Sequence, residues 1–364
     1  MDYIEIKGYK SIKELHLDLK PINILIGANG AGKSNFISFF EFLKKAYDQQ
    51  IKRFVAINGG VDKFLHNGRK ETEQLSCRLS FDEGKYTYDF SLENDTSSSF
   101  FLSDEKVSAK EEHCTHFACV GVGEELGIKQ STNPVANEVK EYLKGLKVYH
   151  FHETGPKSPF NTDARINDNR ILSSHGENLA AVLYRLQRYD PIIYQRIVKT
   201  IQSIAPYFLD FDLEPNAEGS EYIRLAWRSK YNEILYGATD LSDGTLRFIA
   251  LATLFLPSNL PSVIIIDEPE LGLHPFAVSK LGGMIRSAAG KGTQVIAATQ
   301  SADLVDCFEP EDIITIDNMN GASRFERLDS KELDIWLEDY TVGSLWRQNM
   351  LMNRGFIQPE RVNL

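Results

Sequence analysis

The hydrophobic and polar positions of the first 110 residues follow two different periods. Between residues 74 and 106, apolar and polar residues alternate on both sides of a turn at 82–85. This period of two predicts a β-hairpin within an antiparallel sheet. The apolar run at 23–26 instead predicts a buried strand, and the pattern at 35–45 predicts a helix directly after it. Residues 1 to about 20 have the alternation of two short strands.

The second half of the chain has the pattern of an α/β protein. Two continuous apolar runs, at 262–266 and 293–298, are typical of buried parallel strands, and a predicted helix at 275–289 separates them. Further elements are expected in between, namely strands at 146–152, 208–213 and 222–228 and helices at 177–188 and 191–204. The predicted fold class is therefore α/β, with an antiparallel β-lobe, a parallel α/β core and a short helical insert.

We expect one domain over residues 1–364, since no internal repeat or sustained heptad pattern interrupts it. Its expected parts are a glycine-rich loop and β-lobe region at 1–165 and a helical and strand insert at 166–235. A second core region at 236–330 and a C-terminal tail at 331–364 follow. The tail carries large apolar residues in a short stretch, which predict either core packing or a docking surface for a partner. They are Trp336, Leu337, Leu345 and Trp346.

The composition excludes several classes of protein. Of the 364 residues, 42% are hydrophobic and 25% are charged, as in ordinary globular proteins. The net charge of −11 argues against a surface that matches nucleic acid everywhere, although a local basic groove could remain. The four cysteines do not resemble a disulfide framework, and no apolar run has the length of a membrane helix. We therefore expect a cytoplasmic protein without a membrane partner.

A cluster of histidine and cysteine at 113–119 has a spacing that matches no common zinc pattern. No second pair of ligands lies nearby in the sequence. A strand of the β-lobe is the favoured interpretation, and metal binding is the alternative.

The run 27–34 reads Gly-Ala-Asn-Gly-Ala-Gly-Lys-Ser and fits the phosphate-binding loop pattern G-x-x-x-x-G-K-[ST] at every fixed position. Its glycines let backbone N–H groups converge on a phosphate chain. Lys33 supplies a positive charge for the terminal phosphates, and the Ser34 hydroxyl is a suitable ligand for Mg²⁺. The sequence thus predicts binding of a nucleoside triphosphate, with ATP and Mg²⁺ as the expected cofactors. The predicted binding residues of this loop are Gly27, Asn29, Gly30, Ala31, Gly32, Lys33 and Ser34.

Two adjacent acids end the apolar strand at 263–266. Asp267 lies where α/β sheets bind their ligands, so that it can complete the Mg²⁺ shell. Glu268 points away by the alternation of the strand and is placed to activate a water for in-line attack. Without the phosphate-binding loop, a capping or surface role would be an equal alternative.

The segment 241–247 reads Leu-Ser-Asp-Gly-Thr-Leu-Arg and precedes an apolar helix. Ser242 and Gly244 at a helix start offer N–H groups and a hydroxyl to an anion. An ordinary helix N-cap is the alternative for Ser242.

In this order the motifs resemble the ABC-type ATPase heads of the RecF, SMC and OLD group, including predicted ATPases of abortive-infection and phage-defence systems. The resemblance spans nearly the whole chain. Its residues are 27–34 with the following Asn35, 241–244, Asp-Glu-Pro-Glu at 267–270, Gly-Leu-His-Pro at 272–275, Thr-Gln-Ser at 299–301 and the opening stretch 6–12.

The resemblance implies a head-to-head dimer that encloses two nucleotides. Ser242 and Gly244 would then cap the γ-phosphate bound to the loop of a second subunit. His274 would cross the dimer interface near the attacking water, with a buried helix-end histidine as the alternative. Gln300 occupies the switch position, where many ABC proteins have histidine; its amide can donate to the γ-phosphate but carries no charge. The lid position has four candidates, which are His150, His152, Asn169 and Arg170.

Unlike SMC proteins, the chain has no coiled coil between the two motif regions, and only 63 residues follow Ser301, too few for the TOPRIM nuclease domain of OLD proteins. We therefore expect an ATPase that acts as a dimerising, nucleotide-driven switch for a separately encoded effector, such as a nuclease or toxin, in phage defence or the response to DNA damage. The alternatives are a RecF-like repair ATPase that binds DNA directly and a scaffold that holds ATP without hydrolysing it.

Overall fold

The computed structural model describes residues 1–94, 99–111, 114–119, 123–155, 157–215 and 221–351. The chain divides into two compact units. The first unit comprises residues 1–146 and 309–364, and the second comprises residues 147–308.

The strands of the described residues, in chain order, are β1 (Tyr3–Tyr9), β2 (Ile12–Asp18), β3 (Ile22–Ile26), β4 (Gln74–Phe81), β5 (Tyr86–Asn94), β6 (Phe100–Glu111), β7 (Cys114–Cys119), β8 (Leu146–Tyr149), β9 (Ala164–Arg165), β10 (Phe208–Asp212), β11 (Tyr222–Ile223), β12 (Ala226–Ser229), β13 (Leu235–Gly237), β14 (Val263–Asp267), β15 (Gln294–Ala298), β16 (Ile313–Met319) and β17 (Ala322–Arg327). The α-helices are α1 (Lys33–Tyr47), α2 (Ile51–Ile57), α3 (Pro134–Gly145), α4 (Leu179–Tyr189), α5 (Pro191–Ile204), α6 (Asp243–Phe255), α7 (Pro275–Ala289), α8 (Ala302–Val305), α9 (Ser330–Leu337) and α10 (Val342–Arg347).

An antiparallel sheet dominates the first unit. Its strand order is β2-β1-β4-β5-β6-β7. The predicted hairpin is confirmed as β4 and β5, in which Cys77 faces Phe90 and Leu79 faces Tyr88. All four of these side chains are buried, since every second residue of each strand turns to the core.

A second group of strands in the first unit holds the phosphate-binding loop. β3 pairs in parallel with β16, which pairs antiparallel with β17. All five residues of β3 are buried, as expected for a continuous apolar run. Helix α1 packs through a row of phenylalanines, and the rings of Phe36 and Phe40 meet edge to face at a centroid distance of 5.2 Å.

The second unit contains the parallel strands β14 and β15, in register so that Ile265 faces Ile296. Helix α6 is buried at every position from Thr245 to Phe255, which explains why its sequence from Phe248 onward is apolar except for Thr253. The second unit also contains helices α4, α5, α7 and α8, the three-stranded sheet β10-β12-β13 and a short β9–β11 pair. The expected α/β fold, with an antiparallel lobe and a parallel core, is confirmed.

Two predicted strands differ from the structure. The strand expected at 146–152 ends at Tyr149, because the carbonyl oxygens of Phe151 and His152 accept hydrogen bonds from the guanidinium of Arg247 rather than from a neighbouring strand. The strand expected at 222–228 is divided into β11 and β12, which pair with β9 and β10 respectively.

The structure describes only part of the histidine–cysteine cluster at 113–119. Its backbone from 114 to 119 forms β7, as expected, and pairs with β6. His113 and the tip of the hairpin at 95–98 lie outside the described residues. No helix in the part of the chain that the structure describes is long and apolar enough to cross a membrane.

The large apolar residues of the tail are mostly covered. Leu345 on α10 is 1% exposed, so of the two alternatives core packing applies to this residue and docking does not. Trp336, Leu337 and Trp346 are half-buried. Ile335 is the exposed apolar residue of α9, at 68%.

We predict that Leu345→Ala lowers the free energy of unfolding by about 2–4 kcal/mol, because it leaves a cavity among buried side chains. Ile335→Ser is the matched control on the exposed face of the same tail, and its effect should stay within about 0.5 kcal/mol. Urea unfolding followed by circular dichroism measures both. Equal effects of the two substitutions would contradict a packed tail.

Candidate functional site

The phosphate-binding loop lies between the buried strand β3 and helix α1 in the first unit. Gly32, the last residue before the helix, has a φ of +120°, which side chains rarely tolerate. A Cβ at this position would also overlap the hydroxyl of Ser323. The loop therefore requires glycine at Gly32 for both its backbone angle and its close packing.

The N-terminus of α1 is arranged as an anion site. The helix begins at Lys33 without a side-chain cap and has no acidic residue in its first turn, so nothing within the helix competes for its first N–H groups. The ammonium of Lys33 donates to the carbonyl oxygens of Gly27 and Ala28, the second at 3.1 Å. The Ser34 side chain is exposed, as are Asn29 and Gly30, whereas Ala31 is buried.

Two serines support this loop on the side away from solvent-exposed Asn29 and Gly30. The hydroxyl of Ser323 on β17 donates to the carbonyl oxygen of Ala31 at 2.6 Å and lies at hydrogen-bond distance, 2.7 Å, from the hydroxyl of Ser11. The amide of Asn35 donates to the same Ser11 hydroxyl at 2.8 Å. Ser11 belongs to the opening stretch of the resemblance, but no sequence signal could point to Ser323, which lies 312 positions away.

The acidic pair stands at the end of β14 in the second unit. Asp267 is the last residue of the strand and is half-buried. Glu268 has a φ of +41°, in the left-handed region, where a residue with a side chain is strained. Its N–H donates to the carbonyl oxygen of Ala298 at 2.8 Å. The amide of Gln300 donates to the Glu268 carboxylate, so the predicted catalytic acid and the switch residue are brought together.

A third acid, Glu270, lies behind this pair. Its side chain is 8% exposed, and one carboxylate oxygen accepts the hydroxyl of Thr299 at 2.6 Å and the N–H of Gln300 at 3.1 Å. The other oxygen has no hydrogen-bond partner among the described residues. Burial raises the pKa of Glu270 above its ordinary range, and the nearby Glu268 carboxylate adds to this shift. Sequence reasoning included Glu270 in a motif but missed its role.

The turn before α6 packs on the turn that follows β14. Ser242 is the N-cap of α6, since its hydroxyl accepts the N–H of Thr245 at 3.2 Å. A Cβ at Gly244 would overlap the carbonyl oxygen of Gly272, so this approach requires a residue without a side chain. The guanidinium of Arg247, 4% exposed, donates to the carbonyl oxygen of Phe151 at 2.8 Å.

The remaining candidate residues differ in their surroundings. His274 is exposed and caps α7, its Nδ1 accepting the N–H of Phe276 at 3.2 Å, so it is a helix-end histidine that is not buried. Burial lowers the pKa of His152, while the charges of Asp267 and Glu268 oppose the shift. His152 is therefore one lid candidate that lies within electrostatic reach of the acidic pair. The amide of Asn169 donates to the carbonyl oxygen of Ile166 at 2.6 Å.

Two family models match consecutive parts of the chain. Residues 1–147 match the family described as "AAA ATPase domain". Residues 144–306 match the family described as "AAA domain, putative AbiEii toxin, Type IV TA system". Residues 1–306 are thus covered by models of AAA-type ATPase domains. No curated protein matches the chain in sequence.

Solved structures agree with the fold of the ATPase. It resembles the Smc head bound to the C-winged helix domain of ScpA with a TM-score of 0.61, at 14% identity, over 92% of this chain and 99% of that chain. A Smc head domain with an extended coiled coil, bound to the C-terminal domain of ScpA and derived from Pyrococcus furiosus, also gives a TM-score of 0.61, at 13% identity, over 93% and 98% of the two chains. At such low identity these likenesses establish the fold alone.

We predict that the stability of the ATPase depends on pH through Glu270. Because its folded-state pKa is raised, the protonated form stabilises the fold below the ordinary glutamate pKa, and this contribution is lost as the pH rises through the raised value. Glu270→Gln cannot ionise, so its stability relative to the natural protein should increase over that interval. Urea unfolding between pH 4.5 and 8, with the exposed Glu309→Gln as control, measures the difference. A gap that does not change with pH would contradict the buried carboxyl.

Proposed function

We propose that this ATPase binds ATP and Mg²⁺, hydrolyses ATP as a dimer, and acts as a switch for a separately encoded effector. The observation that carries hydrolysis is the hydrogen bond from Gln300 to the Glu268 carboxylate. A scaffold that only stores ATP does not need a glutamate with a strained backbone whose carboxylate is hydrogen-bonded to a glutamine amide. A general base that must be held in place to orient a water molecule does need such an arrangement.

The nucleotide-binding roles follow from the donor groups. The backbone N–H groups of the loop and the Lys33 ammonium are suited to phosphate oxygens. Ser34 and Asp267 offer the hard oxygen ligands that Mg²⁺ prefers. When bound, Mg²⁺ neutralises charge on the phosphates. Glu268 accepts the proton of the attacking water, and Gln300 orients the water and senses the γ-phosphate.

The proposal of a dimer depends on the residues at the starts of helices α6 and α7. Ser242 is exposed at the start of α6, where its N–H groups can meet the γ-phosphate of a partner. His274 is exposed at the start of α7, as a residue of an interface would be. The packing of Gly244 on Gly272 links these two turns, so that a nucleotide contacting one would affect the other.

The effector is the least constrained part of the proposal. Among the described residues of the tail, up to 351, Ile335 is strongly exposed and lies beside the half-buried Trp336. Such a small apolar surface suits a protein partner, and the AbiEii toxin named in one family description is consistent with a toxin or nuclease system. We propose phage defence or the response to DNA damage as the setting, in the cytoplasm.

One observation favours direct DNA binding as a second candidate. A groove of about 630 Å³ between α5 and α7 is lined by Arg196, Lys199 and Lys280 and by no acidic residue. Such a groove is a local basic surface on a chain whose net charge is −11.

We predict that Glu268→Gln binds ATP with unchanged affinity but loses turnover by about 10²-fold or more, because the amide cannot accept the proton of water. Phosphate release measures turnover, and fluorescent-nucleotide titration measures affinity. Glu309→Gln, an exposed acid of the first unit, is the control. Turnover that survives in Glu268→Gln would remove this residue from the proposed role.

The shared site predicts complementation between two inactive variants. Ser242→Arg should bind ATP but not hydrolyse it, because the added bulk obstructs the γ-phosphate of the partner, and Lys33→Ala should fail to bind. A mixture of the two should recover activity, since each heterodimer contains one intact composite site. Ser242→Ala removes the N-cap without adding bulk and controls for helix stability. A mixture no more active than either variant alone is incompatible with sites shared between subunits.

The separate-effector proposal predicts that the purified ATPase leaves plasmid DNA, linear DNA and RNA intact in Mg²⁺ or Mn²⁺. Gel electrophoresis checks cleavage, and fluorescence anisotropy with a labelled duplex checks binding. Metal-dependent cleavage by this chain alone would contradict the proposal. Duplex binding that Arg196→Glu and Lys280→Glu abolish would favour the repair candidate instead.

A further inference from the structure

A second cavity in the 147–308 unit lies away from the nucleotide-binding residues. Its volume is about 240 Å³, and helix α4, the last turn of α6 and the segment 257–261 enclose it. Its apolar wall includes Val182, Leu186 and Leu254. Ligand sites are concave and combine apolar walls with a few placed polar groups, and the lining of this cavity holds both kinds of group.

One residue of the lining, Tyr149, has a buried hydroxyl that is left without a partner among the described residues. Tyr149, the last residue of β8, is 1% exposed, and its hydroxyl has no hydrogen-bond partner among the described residues. Buried hydroxyl groups almost always have such a partner, because leaving one unpaired destabilises the fold. Phenylalanine would fill the same space without this penalty. The hydroxyl at Tyr149 is therefore left for a partner that is not among the described residues.

Two arginines, Arg170 and Arg185, also line the cavity, and both are exposed. Neither forms an ion pair or hydrogen bond with any other described residue. The one acid of the lining, Asp190, already caps α5, where its carboxylate accepts the N–H of Ile193 at 3.2 Å. The cavity thus presents two unpaired positive charges to an entering ligand.

We propose that this cavity binds a small organic anion. Its phosphate or carboxylate group lies between Arg170 and Arg185, its apolar body packs on Val182 and Leu186, and an oxygen atom reaches the hydroxyl of Tyr149. The volume is below the range of about 300–1,000 Å³ usual for drug-sized ligands, so the ligand is a small one.

Because the cavity lies against helix α6, a ligand bound in it can regulate the proposed dimer contacts of that helix. Thr253 and Leu254 in the lining belong to α6, and the same helix begins at Ser242 and Gly244. A ligand that holds the C-terminal end of α6 therefore acts on the element that carries the proposed dimer contacts. Binding itself does not depend on hydrolysis, so it can be tested independently of the proposed function.

The test uses phenyl phosphate, which combines an anion with an apolar body, in calorimetric titrations of the full chain. The Lys33→Ala background keeps the phosphate-binding loop from contributing. We expect phenyl phosphate to bind at least about tenfold more tightly than either inorganic phosphate or phenol. Inorganic phosphate has only the anionic group of the ligand, and phenol has only its apolar ring. Equal affinities, or no binding up to about 10 mM, would overturn the proposal.

Two variants assign the binding to this cavity. Tyr149→Phe should weaken phenyl phosphate binding about tenfold, yet raise Tm of the free protein by about 2 °C, because it removes an unpaired buried hydroxyl. Arg185→Gln should weaken binding by a similar factor. Arg188→Gln is its matched control, because Arg188 lies on the same helix, outside the lining and over the ring of Tyr184. Binding that is the same in all three variants would show that the ligand is held elsewhere and contradict the proposal.

Discussion

The second unit depends on one close backbone approach, that of Gly244 to the carbonyl oxygen of Gly272. Because no side chain separates them, the turn that starts α6 lies directly on the turn that follows β14. Arg247, one helical turn further on, is buried and fixes the segment after β8 through two carbonyl oxygens. Three segments far apart in sequence are thereby held at fixed positions around the acidic end of β14.

The neighbouring acids Glu268 and Glu270 lie in different environments. Glu268 is half-buried and accepts the amide of Gln300, whereas Glu270 is buried and binds the hydroxyl of Thr299. Desolvation raises the pKa of Glu270, which suits a residue that positions the switch loop. A carboxylate that must accept a proton from water needs access to solvent, and Glu268 has it. Two identical side chains two positions apart thus lie in environments that would suit different roles.

Much of this architecture is predictable from sequence because the spacing of hydrophobic residues along the chain indicates which side chains are buried. Helices α5 and α7 begin where their prolines indicate, and β4 and β5 follow the alternation of their side chains. Long-range contacts carry no such signal. Arg247 ends the strand expected at 146–152 early, and Ser323 hydrogen-bonds to a loop nearly 300 residues before it. For Leu345 the sequence left core packing and docking open, and only the structure shows that it is buried. The unpaired hydroxyl of Tyr149 likewise becomes visible only in three dimensions.

The central claim is that ATP drives two copies of this chain together. Sedimentation velocity of Glu268→Gln tests it most directly, because slow turnover preserves the nucleotide during the run. With ATP and Mg²⁺ the protein should sediment as a species of at least twice the mass of the 41.2 kDa chain. Without nucleotide, or after Lys33→Ala is added to the same variant, the smaller species should dominate. Identical sedimentation under all of these conditions would contradict a nucleotide-driven dimer.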